Sequence, residues 1–78
     1  MNPSPMYPTC VEVFRTNIPD EEVAQSVLRM IRSLFNPHRV NIDLDDCDKI
    51  LRIEAADINI PDVIDAVRRL GYACEILE

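Results

Sequence analysis

Fourteen acidic against eight basic side chains give this 78-residue chain a net charge of −6. That balance disfavours nucleic acid and anionic membrane as partners, because phosphate contacts need a basic stripe and Arg29, Arg32, Arg39, Arg52, Arg68 and Arg69 are dispersed among acids. The length supports one small domain, which buries only roughly 60–65% of its unfolded surface, and a hydrophobic fraction of 47% places it among globular chains rather than disordered ones.

Three cysteines are too few, and odd in number, for a disulfide framework. No signal-peptide pattern is present, and no run approaches the ~20 apolar residues of a membrane span. The expectation is a soluble cytoplasmic protein with reduced thiols.

Residues 1–9 hold three of the six prolines and read as a disordered, proline-rich tail, with residues 10–78 forming the domain. Cys10 to Arg15 predicts the first strand, with Val11 and Val13 facing the helices and Cys10, Glu12 and Phe14 on the other face. Asn17-Ile18-Pro19-Asp20 then opens the first helix, and Asn59-Ile60-Pro61-Asp62 repeats the same quartet before the second. Pro19 suits a helix start, where its missing N–H would be orphaned anyway. Asp20, Glu21 and Glu22 put negative charge at the positive end of the helix dipole. The apolar stripe is Val23, Val27, Ile31 and Leu34, widened by Leu28 and Met30. Asn36-Pro37 ends the helix.

Val40, Ile42 and Leu44 alternate with Asn41 and Asp43 in a second strand. Asp45-Asp46-Cys47-Asp48 is a turn-prone hairpin. Lys49 to Ala55 is a third strand, with Leu51, Ile53 and Ala55 inward and Ile50, Arg52 and Glu54 outward. The second helix presents Val63, Ile64, Val67 and Leu70. Gly71, the only glycine, belongs at a left-handed position just past its end. Tyr72 to Leu77 is the last strand, with Tyr72, Cys74 and Ile76 inward. The order β-α-β-β-α-β with right-handed crossovers predicts an α+β, ferredoxin-like sandwich: a four-stranded antiparallel sheet, order 4-1-3-2, with both helices on one face.

With this element order, the Val27-x-x-x-Ile31 helix pattern and the closing Leu70-Gly71-Tyr72-x-x-x-Ile76-Leu77, the chain resembles the heavy-metal-associated (HMA) domain family over roughly residues 10–77. The resemblance implies a loop after the first strand carrying Met-x-Cys-x-x-Cys, whose thiolates suit Cu(I) or Zn(II). Aligned through Val27, Ile18 falls at the family's methionine, Asp20 near its first cysteine and Val23 near its second. The loop therefore departs from the family at both sulfur donors, and the resemblance supplies no metal ligand and no cofactor.

Other chemistry is weakly supported. Asp45, Asp46, Cys47 and Asp48 make one end acidic and could offer oxygen donors, but they match no Ca²⁺ loop spacing. His38, the only histidine, has no partner in sequence for catalysis, and the Glu21-Glu22 and Asp45-Asp46 pairs fall where solvent should reach them. The reading is a non-enzymatic binding or regulatory module of HMA-like fold, acting through protein contact or homodimerisation on the open sheet face at Phe14, Ile50 and Leu77, or through a strand edge. The alternatives are Cu or Zn handling with unusual ligands, perhaps shared between chains through Cys10 or Cys47, and small-molecule sensing.

Overall fold

The computed structural model describes residues 9–77. The disorder expected of the N-terminal tail concerns residues 1–8 almost entirely, which lie outside that range. The elements are β1 (Cys10–Thr16), α1 (Glu21–Phe35), β2 (Arg39–Asp43), β3 (Ile50–Ala55), α2 (Ile60–Arg69) and β4 (Cys74–Ile76). Every strand pairing is antiparallel and the sheet runs β2-β3-β1-β4, an α+β arrangement of ferredoxin-like order. This is the order expected from the sequence, read from the other edge.

The core forms where residues opposite each other on neighbouring strands share a face. Phe14 stands across from Leu51 on one side and Ile76 on the other, and Ile53 stands across from Val40. Onto this face α1 lays Ala24, Val27, Leu28 and Ile31, and α2 lays Val63 and Val67, in one continuous buried cluster.

The structure corrects the expected side-chain facing in three elements. The facing of β1 is inverted: Phe14 is wholly buried, whereas Val11 is 42% exposed. The register decides this. Leu51 points inward, so its partner Phe14 must as well, and Val11 and Val13 are left on the open face. Phe14 therefore has no place on a contact surface. In α1, Leu34 is 62% exposed, and Ala24, outside the expected stripe, is buried beside Val27, Leu28 and Ile31. In α2, Leu70 is the residue after the last helical turn, lies 45% exposed, and leaves Ala66 to fill the core.

The two identical quartets are used in different registers. Asp20, the last residue of the first quartet, is the N-cap of α1, its Oδ1 accepting from the Val23 N–H at 2.9 Å. Pro19 thus lies just before the cap rather than inside the helix. Asn59, the first residue of the second quartet, is the N-cap of α2, its Oδ1 accepting from the Asp62 N–H at 3.1 Å, and Pro61 falls within the first turn. Asn17, with no helix to cap, ties the β1–α1 loop to the start of β4, its Oδ1 accepting from the Ala73 N–H at 2.7 Å. The helix ends follow expectation, with Asn36 left-handed at φ 48° and Gly71 at φ +100°.

Candidate functional site

Thr16, Ile18 and Asn17 fix the loop that follows β1. The Thr16 N–H donates to the Asp48 carbonyl at 3.0 Å. Its hydroxyl donates to the Lys49 carbonyl at 2.6 Å and accepts from the Ile18 N–H at 3.3 Å. Ile18 is fully buried in the core. With Asn17 bound to Ala73, the β1–α1 loop, the 44–49 hairpin and the α2–β4 turn converge at one end of the sheet.

Ile18, Asp20 and Val23, the loop positions where the resemblance would look for metal ligands, have structural uses. Ile18 packs, Asp20 caps, and Val23 is half-buried against the core. The thiols are dispersed. Cys10 is exposed at the far end of β1, with Sγ 3.8 Å from the Ala56 carbonyl. Cys47 is exposed on the hairpin. Cys74 is buried, and loss of solvent pushes its thiol up to about 11, with Arg68 opposing and Glu75 adding to the shift.

Of the four acidic-end candidates, Asp46, Cys47 and Asp48 bring donor atoms within 4.8 Å of one another, and Asp45 stands outside that group. Their local bonds belong to the turn. Asp46 Oδ1 accepts from the Asp48 N–H at 2.8 Å, and Asp43 Oδ1 accepts from the Asp45 N–H at 3.0 Å. Such side-chain-to-backbone bonds are how aspartates build turns. Arg15 Nε lies 3.5 Å from Asp48, competing with any cation for that carboxylate. Lys49 closes the hairpin at φ 46°, its Nζ donating to the Leu44 carbonyl at 2.9 Å.

The face of the sheet away from the helices carries the remaining candidates. Ile50 and Leu77 are half-buried there. The Leu77 N–H donates to the Val13 carbonyl at 2.8 Å, which sets Leu77 beside Val13, with Val11 further along the strand. Ile50 falls opposite Arg15 at the other end, since Phe14 pairs with Leu51. Charges are interleaved: Arg15 Nη1 meets Glu75 Oε1 at 2.9 Å, and Arg52 Nε lies 3.6 Å from Glu54. The sequence pattern identifies Ile50 and Leu77 but misses Val11 and Val13. The signal that could have found them is the pairing of Phe14 with an unambiguous inward strand.

A second apolar feature lies on the helix layer. Met30, Leu34, Phe35, Ala66 and Leu70 line a groove of about 410 Å³ with Asp62, Asp65 and Arg69 at its margin. Arg69 is bridged to Asp65 at 2.8 Å. His38 is exposed at the start of β2 and contributes its backbone N–H to the Glu54 carbonyl. No helix among the described residues is long and apolar enough to cross a membrane.

Comparison with known protein families found no family model that matches this chain. No curated protein matches it either.

Proposed function

We propose that the chain is a non-catalytic cytoplasmic interaction module, HMA-like in pattern but without that family's metal ligands. The observation that carries this reading is the use made of the β1–α1 loop: Ile18 is spent on the core and Asp20 on the α1 cap, so the segment keeps a structural role with no sulfur donor. The contact surface is the open sheet face at Val11, Val13, Ile50 and Leu77. Half-buried apolar side chains among interleaved charges suit a protein partner of mixed polarity better than a lipid surface.

A photo-crosslinking residue placed at Val13 tests the face, with the same residue at the exposed helix position Gln25 as control. The expected result is one partner captured from Val13 alone, identified, and then shown with purified components to lose binding to a Val13→Asp variant that retains its circular dichroism. Equal capture from both positions, or full binding by Val13→Asp, would overturn the reading.

The grouping of Asp46, Cys47 and Asp48 favours one second reading, metal handling through non-standard ligands. A Cu(I) competition assay separates the two. Stoichiometric metal held by the native chain and lost in Cys47→Ser would replace the first reading with the second.

A further inference from the structure

We infer that the edge of β2 that is unpaired among the described residues pairs with the β2 edge of a second copy of this chain, giving an antiparallel dimer with a continuous eight-stranded sheet. The inference starts from which peptide groups the sheet leaves unused. The Val13 carbonyl accepts from Leu77, so odd residues of β1 bond β4 and even residues bond β3. Alternation along antiparallel ladders then directs Leu51, Ile53 and Ala55 towards β1, and Ile50, Arg52 and Glu54 towards β2. The Glu54 carbonyl does receive its hydrogen bond from the β2 side, at the His38 N–H. Through the observed register, Arg39, Asn41 and Asp43 spend their peptide groups on β3. Those of Val40 and Ile42 face outward.

The side chains of this edge are complementary to themselves. A two-fold axis normal to the sheet at Asn41 sets Arg39 opposite Asp43, Val40 opposite Ile42 and Asn41 opposite Asn41, with the mirror set below. The unused groups of Val40 and Ile42 then meet in the closely bonded pairs, which gives about four backbone hydrogen bonds. The Arg39–Asp43 pairs fall at the positions where side chains approach most closely. Both residues are exposed on the open face. Arg39 has no ion pair among the described residues, and Asp43 uses only Oδ1 on the hairpin.

The other edge is different. β4 is three residues long, and Glu75 is engaged by Arg15, which is how sheets blunt an edge. β2 is longer, at five residues, with no proline, no lysine and no inward charge, and its two charges, Arg39 and Asp43, are of opposite sign and so matched across the axis. An interface of one strand pair is smaller than a standard protein interface, so the dimer belongs with the weak, transient associations. It does not depend on the open face binding a partner, because the axis leaves both open faces uncovered and side by side.

The test is sedimentation analysis of the full chain between about 10 and 500 µM, the range a small interface demands, on native protein and charge-reversed variants. Native protein is expected to shift from monomer to dimer across that range. Arg39→Asp and Asp43→Arg should each raise the dissociation constant at least about tenfold, because like charges then face each other. Mixing those two variants should restore association as a heterodimer, since every ion pair is then re-formed. The double variant Arg39→Asp/Asp43→Arg should dimerise by itself for the same reason. Circular dichroism of each variant checks its fold, and recovery on mixing shows that neither single variant is merely damaged. A native chain that stays monomeric at the highest concentration, or a dimer that neither reversal weakens, would overturn the inference. Val13→Asp leaves the edge intact, so its effect on partner binding is read independently.

Discussion

Replacing Phe14 by alanine tests the facing of β1, on which both the core and the open face depend. Phe14 is fully buried between Leu51 and Ile76 and beneath both helices. Truncating a buried phenylalanine removes its transfer free energy and leaves a cavity, together about 3–5 kcal/mol. A chain of this size has a total stability of roughly 4–12 kcal/mol, so Phe14→Ala should consume about a quarter or more of it. Val13→Ala, one residue away on the half-covered face, should cost about 1 kcal/mol or less. Urea unfolding followed by far-ultraviolet circular dichroism gives both numbers from the midpoint shift at constant slope. The reasoning fails if Val13→Ala is the more damaging change. A one-residue slip exchanges every side chain between faces, so that result would mean the strand pairs with β3 in the other phase.

Further expectations concern the repeated quartet, the turn before β4 and the buried thiol. Asp20→Ala and Asn59→Ala should each cost about 1 kcal/mol as lost N-caps, whereas Asp62→Ala should cost only a few tenths; equal losses at Asp20 and Asp62 in urea melts would contradict the shifted registers. Asn59→Ser should be tolerated as another capping side chain, and Asn17→Ser should not, because serine is too short to reach the Ala73 N–H; thermal melts of the pair decide this. Gly71→Ala should cost about 1–2 kcal/mol from backbone strain alone, since nothing lies within 4 Å of the added Cβ; an unchanged melting temperature would count against the positive φ. The Cys74 thiol, raised from 9.0 to about 11 in the folded chain, is neutral in both states below pH 9. As pH rises from about 9 to 11 the unfolded thiol ionises first, so stability should fall by roughly 2–3 kcal/mol over that window. Cys74→Val should flatten that part of the profile, and a profile identical to native would refute the assignment.

What was legible in the sequence, and what was not, divides along one physical line. Local signals sufficed for the element order: the proline-aspartate quartets, Asn36-Pro37 and Gly71 mark ends whatever the tertiary context. In β3 the alternation of Leu51, Ile53 and Ala55 with Arg52 and Glu54 is unambiguous, and its facing was legible too. In β1 Glu12 shares a face with Phe14, so alternation turned Val11 and Val13 inward, and cross-strand pairing with Leu51 and Ile53 overrode it. The margins of the helix stripes failed for a related reason. Leu34 and Ala24 flank the same stripe, and a small residue at the crowded start of α1 is buried where a large one near its exposed end is not. The capping register was out of reach because one quartet supports two caps, and the ties that hold the first copy, Asn17 to Ala73 and Thr16 to Lys49, join segments distant in sequence. For the candidate surface, Ile50 and Leu77 could be read because they sit in strands of clear phase; Val11 and Val13 could not.

The neighbouring placement of β1 and β4 has a practical corollary. The Val13–Leu77 hydrogen bond holds β4 beside β1 as one edge of the sheet, and β2 forms the opposite edge. A fluorescent label carried on β4 therefore stands three strands away from β2 and leaves that edge clear.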